Sequence, residues 1–262
     1  MLRSRGWADT WSALRAAMAV LGAAAIIAQA VTSIGGAISA GRDVGTTVAN
    51  FFSFFTILSN VLTVVVLVWV VAWYWLRGRR DASAEPRGAA IALASVTTYM
   101  IITGVVYNTL LRGIALSQGA TVPWSNEVLH VVAPLFLLVD LFLGPRRRCL
   151  GWGAIGAVLV FPLVWVVYTM LRGPLVTNPL TGDAYWYPYP FLDPNSAATG
   201  GYLGVTAYIV GIAIGIALVA AGVIAVGRYR GHPRDARARP APTDGPAPQL
   251  EADTGLGADT EH

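Results

Sequence analysis

The chain of 262 residues has no lysine, one cysteine (Cys149) and three histidines, and only 12% of it is charged. Soluble globular proteins carry about 25% charged residues, so this composition excludes an ordinary water-soluble domain. A single cysteine excludes a disulfide framework and any cysteine-rich metal site. His232 and His262 fall in a polar C-terminal stretch, which leaves His130 as the one histidine among apolar segments. Haem carriers with paired axial histidines, thiol-redox membrane proteins, H-E-x-x-H metalloproteases and G-x-S-x-G hydrolases are therefore excluded. No metal and no cofactor is expected. Proton-coupled transporters normally carry more midplane Asp, Glu or His than this chain offers.

What is present is apolar: 55% hydrophobic residues and a mean hydropathy of +0.59. Six segments are long enough to cross a bilayer, at about 13–39, 51–76, 88–111, 126–143, 150–171 and 202–227. The expected fold class is an all-α polytopic membrane protein with six transmembrane helices. The net charge of +4 and the pI near 9.5 suggest nucleic acid, but the charge is spent on topology. Of the 18 arginines, 15 flank the termini and the loops after spans two and four, and three (Arg42, Arg112 and Arg172) lie on the opposite side. The positive-inside rule then puts both termini in the cytoplasm of a multi-pass cell-membrane protein, with no nucleic-acid partner. Ala28-Gln29-Ala30 resembles a signal cleavage site, but the apolar run continues past it, favouring a retained span. Residues 1–230 read as the transmembrane domain, and 231–262, rich in Pro, Gly, Ala and Asp, as a disordered cytoplasmic tail. Gly204, Gly211, Gly215 and Gly222 form a small-residue face on span six, expected to pack closely inside the bundle.

Polar residues within spans narrow the chemistry. Ser53, Thr56, Asn60 and Thr63 recur at steps of 3, 4 and 3 on span two, and Ser95, Tyr99, Thr103 and Tyr107 at steps of four on span three. Such stripes face inward, toward a cavity or one another. Most intramembrane threonines simply bond back to a carbonyl one turn earlier. Thr56 and His130 share a depth, however: about 7–8 Å and about 6 Å along their spans from the outer surface at 1.5 Å per residue. A threonine hydroxyl needs an adjacent base to attack an ester, and neutral imidazole can supply it. Asn60 and Asn126, each one turn from the pair, are candidates to orient the ring or to donate to an oxyanion; Glu127 is a further candidate orienter. Tyr107, on the inward stripe, joins the candidate substrate-binding or orienting residues. Arg112 and Arg172 end spans three and five and could dock a carboxylate or phosphate headgroup, although interfacial snorkelling explains them equally well. Asp140, near Arg146–Arg148, reads as a carboxylate at the cytoplasmic interface. Trp124 and the aromatic stretch Tyr185 to Leu192 supply an interfacial belt, and the loop that carries that stretch is long enough to cap the cavity.

Three blocks together resemble the androgen-induced protein family, which includes the androgen-dependent regulators of tissue-factor-pathway inhibitor. They are FFSFFTILSN around Thr56, PWSNEVLHVVAPLFLLVD with Trp124, Asn126, His130 and Pro134, and YPYPFLDP before the last span. Ser59, Val131 and Val132 depart from the family pattern. The resemblance implies a six-span threonine hydrolase of fatty acid esters of hydroxy fatty acids, with Thr56 as nucleophile and His130 as base near the outer face. The arginine-only, alanine-rich composition is that expected of a bacterial branch. Membrane lipids and a lipid ester are the expected partners; the oligomeric state is not legible. Two other readings stand beside this one, a non-catalytic membrane regulator or scaffold and a lipid or acid carrier.

Overall fold

The computed structural model describes residues 4–81, 83–114 and 121–231. The expected tail, 232–262, lies outside the described residues. Among them every regular element is helical. Six helices are long and apolar enough to span a membrane: α1 (Arg5–Ser39), α3 (Phe55–Asp81), α4 (Arg87–Leu111), α5 (Pro123–Leu143), α6 (Ala154–Leu175) and α7 (Tyr202–Arg230). A short helix not expected from the sequence, α2 (Val44–Phe51), sits between the first two spans and is capped by Asp43, whose carboxylate accepts from Thr46 N. The hydrogen bond to Thr46 holds this exposed carboxyl below its usual pKa.

α4 is the central helix, with 67% of its apolar window buried, against 17% for α6 and 22% for α7. α3, α5, α6 and α7 all pack on α4, and α1 closes against α3. α1 starts at Arg5 rather than near residue 13, with Ser4 Oγ accepting from Trp7 N at 3.2 Å. That extension changes the reading of two charged residues. Arg15 is not a flanking charge: it is 4% exposed and bonds Asp140 through Nε at 2.8 Å and Nη2 at 3.1 Å. Asp140, fully buried, also accepts from Trp11 Nε1 and Arg147 Nη2. Two guanidinium groups and an indole thus neutralise and solvate one carboxylate at the termini end of the bundle. A Cβ at Gly144 would stand 2.8 Å from Arg15 Nη2 and 2.5 Å from the Asp140 carbonyl, so only glycine fits over this knot.

Four more arginines at the same end are also engaged. Arg146 donates to the Gly78 carbonyl, Arg148 to that of Glu85, Arg228 to that of Leu150 and Arg230 to those of Leu141 and Gly144. Helix ends leave carbonyls without intrahelical donors; Arg146 and Arg230 supply such ends, whereas Arg148 and Arg228 satisfy loop carbonyls. Burial lifts the Glu85 carboxyl above its usual range, although the Arg147 and Arg15 charges oppose the shift.

Two prolines create the same need within the spans, because proline has no N–H to return to the carbonyl four residues earlier. For Pro162 in α6 that carbonyl belongs to Val158, and Tyr99 OH of α4 donates to it at 2.6 Å. For Pro134 in α5 it belongs to His130, and Asn108 Nδ2 of α4 donates to it at 3.3 Å. The expectation for the glycine face of α7 is corrected. Added Cβ atoms at Gly211 and Gly222 would meet nothing within 4 Å, and only Gly204 is tight, against the Thr199 carbonyl of the preceding loop. α7 is the thin, largely exposed edge of the bundle rather than its packing seam.

Removing one member of a buried ion pair strands the other, at a cost of about 3–5 kcal/mol. Asp140→Asn is expected to lower the thermal midpoint in detergent sharply. The double change Asp140→Leu with Arg15→Met should recover most of that loss, as read by the same melt.

Candidate active site

The chain breaks helical register at Phe52–Phe54, so α3 begins at Phe55 rather than at Phe51. Thr56 is consequently the second residue of a helix. Elsewhere the hydroxyls bond back one turn: Thr63 Oγ1 to the Ser59 carbonyl at 2.8 Å and Thr97 Oγ1 to that of Leu93 at 2.6 Å. Thr56 has no helical turn before it to bond to. Its Oγ1 instead lies 3.4 Å from Tyr189 OH, which also accepts from Thr56 N at 3.2 Å. α3 has no side-chain cap of its own at this end, and the Tyr189 phenol serves as one. Burial raises the Tyr189 pKa, so the phenol stays protonated.

His130 lies in a π-helical turn, Val128–Val132, and Tyr107 begins another, Tyr107–Leu111, on α4. π turns occur frequently at functional sites. The two rings stack, with centroids 3.8 Å apart at 24°. His130 Nδ1 lies 2.9 Å from the Asn126 carbonyl, which can only accept. Nδ1 therefore carries the proton, and in the neutral ring the Nε2 lone pair is available as a base. Asn126 orients the ring through its backbone, while its side-chain Nδ2 donates to Tyr107 OH at 2.5 Å.

Asn60 Nδ2 donates to the carbonyls of Thr56 at 2.9 Å and Leu129 at 3.3 Å, joining the start of α3 to the residue before His130. Arg112 is closed into an ion pair with Glu127, at 3.0 and 3.1 Å, with Nε on Asn108 Oδ1 at 2.9 Å. Glu127 thus holds Arg112 rather than the His130 ring, and the pair stands beside Tyr107, whose ring the Arg112 guanidinium overlies at 5.3 Å. Arg172 donates to Asn50 Oδ1 at 2.7 Å and lies over the Trp186 ring at 5.4 Å.

Two cavities meet at Thr56. One, of about 90 Å³, is apolar and bounded by α3, α4, α6, α7 and the segment before α7, with Phe55, Thr103, Tyr107 and Phe191 in its wall. The other, of about 10 Å³, has room for about one water and is lined by Gln29, Asn126, His130 and neighbours. Thr56 and Tyr189 belong to both walls. No hydrogen bond joins Thr56 to His130 among the described residues; they face each other across the small polar void. Tyr189 was readable in the sequence only as part of an aromatic belt, because nothing local signals that its hydroxyl reaches a helix start 133 residues earlier. Gln29 was hidden for the same reason.

Compared with family models, with curated proteins and with solved structures, the chain finds no match.

Helices α4 and α5 touch closely at the site: a Cβ on Gly104 would stand 2.9 Å from Pro134 Cβ and 3.5 Å from the His130 carbonyl. Overpacking of this kind costs about 1–3 kcal/mol. Gly104→Val is expected to lower the thermal midpoint and to separate the Tyr107 and His130 rings. Histidine 15N chemical shifts would report the second effect as a change in the Nδ1-protonated signature.

Proposed function

We propose that this chain is an integral-membrane carboxylic ester hydrolase, with Thr56 as nucleophile and His130 as general base. The observation that carries the reading is the position of Thr56 on the shared wall of an apolar cavity and a one-water polar void holding His130. An acyl chain fits the first; the second is where protons move. The resemblance of the blocks around Thr56, His130 and Tyr189 to the androgen-induced protein family supports the same chemistry and an amphiphilic lipid ester as substrate.

In this mechanism the Thr56 Oγ1 attacks the ester carbonyl carbon, and its proton passes to His130 Nε2, directly or through a water in the void. Charge then develops on the carbonyl oxygen beside the N-terminus of α3. Helix starts present unsatisfied N–H groups and a positive dipole end, and Tyr189 OH adds a donor at the same place. Collapse breaks the ester C–O bond, the leaving alkoxide takes the proton from His130, and an acyl-Thr56 remains. Water attacks that ester, losing its proton to His130, and releases the acid and the Thr56 hydroxyl. The Nδ1–H bond to the Asn126 carbonyl keeps Nε2 directed to this work throughout. The arginine excess at the termini end supports placing that end in the cytoplasm, with Thr56 and His130 at the opposite side of a cell membrane.

A fluorophosphonate probe tests the reading on the purified full chain. Labelling is expected in the native protein and its loss in both Thr56→Ala and His130→Ala, with thermal midpoints retained. Tyr189→Phe should slow labelling by about 10²-fold, the usual effect of losing one oxyanion donor. Labelling that ignores both Thr56→Ala and His130→Ala sinks the proposal and favours a carrier that uses the cavity without covalent chemistry.

A further inference from the structure

A third cavity, of about 20 Å³, lies on the far side of Phe54 from His130; Ser33, Arg42, Thr47 and Asn50 supply its polar wall. Phe54 lines both voids, and the Gln29 Nε2 to Ser33 Oγ hydrogen bond, 3.3 Å, links a wall residue of one to a wall residue of the other. Among the described residues the Arg42 guanidinium has neither an ion-pair nor a hydrogen-bond partner, its backbone N–H alone being bonded, to the Ala37 carbonyl, unlike the guanidinium groups of Arg112 and Arg172 at the same end of the bundle. Asn50 is 6% exposed, and its buried Nδ2 has no hydrogen-bond partner either, although its Oδ1 is held by Arg172. A buried amide donor without an acceptor costs about 1–3 kcal/mol, so an acceptor is what this wall lacks. The neighbouring carboxylate does not supply it, because Asp43 is turned to cap α2 through Thr46 N.

We propose that this cavity is a carboxylate-binding subsite for an amphiphile lodged at this end of the bundle. Arg42 supplies the charge, Asn50 Nδ2 a directed donor fixed by Arg172, and Ser33 a hydroxyl proton, while the Thr47 hydroxyl is committed to the Asp43 carbonyl at 2.8 Å. The room is that of one or two waters, which suits two carboxylate oxygens better than a ring or a bulky headgroup. The subsite stands on its own geometry and does not require Thr56 to be a nucleophile. If both hold, a ligand carboxylate sits one phenyl ring away from the polar void of His130, and Arg42 does the docking expected of Arg112.

Equilibrium binding of radiolabelled oleate to the full chain in a neutral detergent tests this, with methyl oleate and acetate as competitors. Oleate is expected to bind saturably and to be displaced poorly by methyl oleate. Arg42→Gln and Asn50→Asp should each weaken binding at least about tenfold with thermal midpoints retained; the second keeps an acceptor for Arg172 while removing the donor. Arg112→Gln should bind as the native chain does. Acetate competing with the same dependence on Arg42 and Asn50 assigns the subsite to free carboxylates; acetate without effect assigns it to lipid carboxylates. Native-like oleate binding in both Arg42→Gln and Asn50→Asp overturns the proposal, whatever the fluorophosphonate result at Thr56.

Discussion

Inside a bilayer there is no water to accept or donate, so every buried polar group must find its partner within the chain. The architecture of this protein is largely the set of answers to that demand. Prolines at 134 and 162 remove two donors from the interiors of α5 and α6, and α4 replies with Asn108 and Tyr99. Helix ends at one face of the bundle leave carbonyls open, and Arg146 and Arg230 close them, while Arg148 and Arg228 serve loop carbonyls beside them. Asp140 cannot stay charged alone at this depth, and α1 brings Arg15 and Trp11 to it. The central place of α4 follows, since it carries the donors that its neighbours lack.

The candidate site is the place where this closure is relaxed. Thr56 escapes the usual back-bond because its helix starts one residue before it. His130 satisfies Nδ1 on its own helix and leaves Nε2 uncommitted. The apolar cavity reaches this spot from the thin side of the bundle, where α6 and α7 are most exposed. Spare capacity is not confined to this end, since among the described residues Ser12 Oγ, Glu85 Oε2 and Arg147 Nε are also buried without a hydrogen-bond partner at the other.

Much of this was visible in the residues before any coordinates. The six spans follow from apolar run length, and the burial of Thr56, Asn60 and Thr63 follows from their spacing on one helix face, whereas Ser53 is buried although it lies in the break before that helix. Thr56 and His130 could be singled out because only one histidine lies among apolar segments. Their surroundings were less readable. The break at Phe52–Phe54 has no glycine or proline to announce it, so the estimated depth of Thr56 started from the wrong residue. Arg112 and Glu127 are fifteen positions apart across a loop, and a sequence gives no sign that they meet. Arg15 looked like a flanking charge because its partner lies 125 residues away. Local physics is legible in order along the chain, whereas pairing across helices is not.

The two facing π turns have a consequence for how such a site can arise. A π turn is an α-helix holding one residue more than its pitch requires, so whatever follows is rotated by about 100° relative to an uninterrupted helix of 3.6 residues per turn. In α5 the extra residue lies around His130, between a short stretch carrying Asn126 and the longer apolar stretch carrying Asp140. The two stretches therefore keep independent phase. One can turn its ring toward α4 while the other keeps its carboxylate on α1, and neither demand constrains the other.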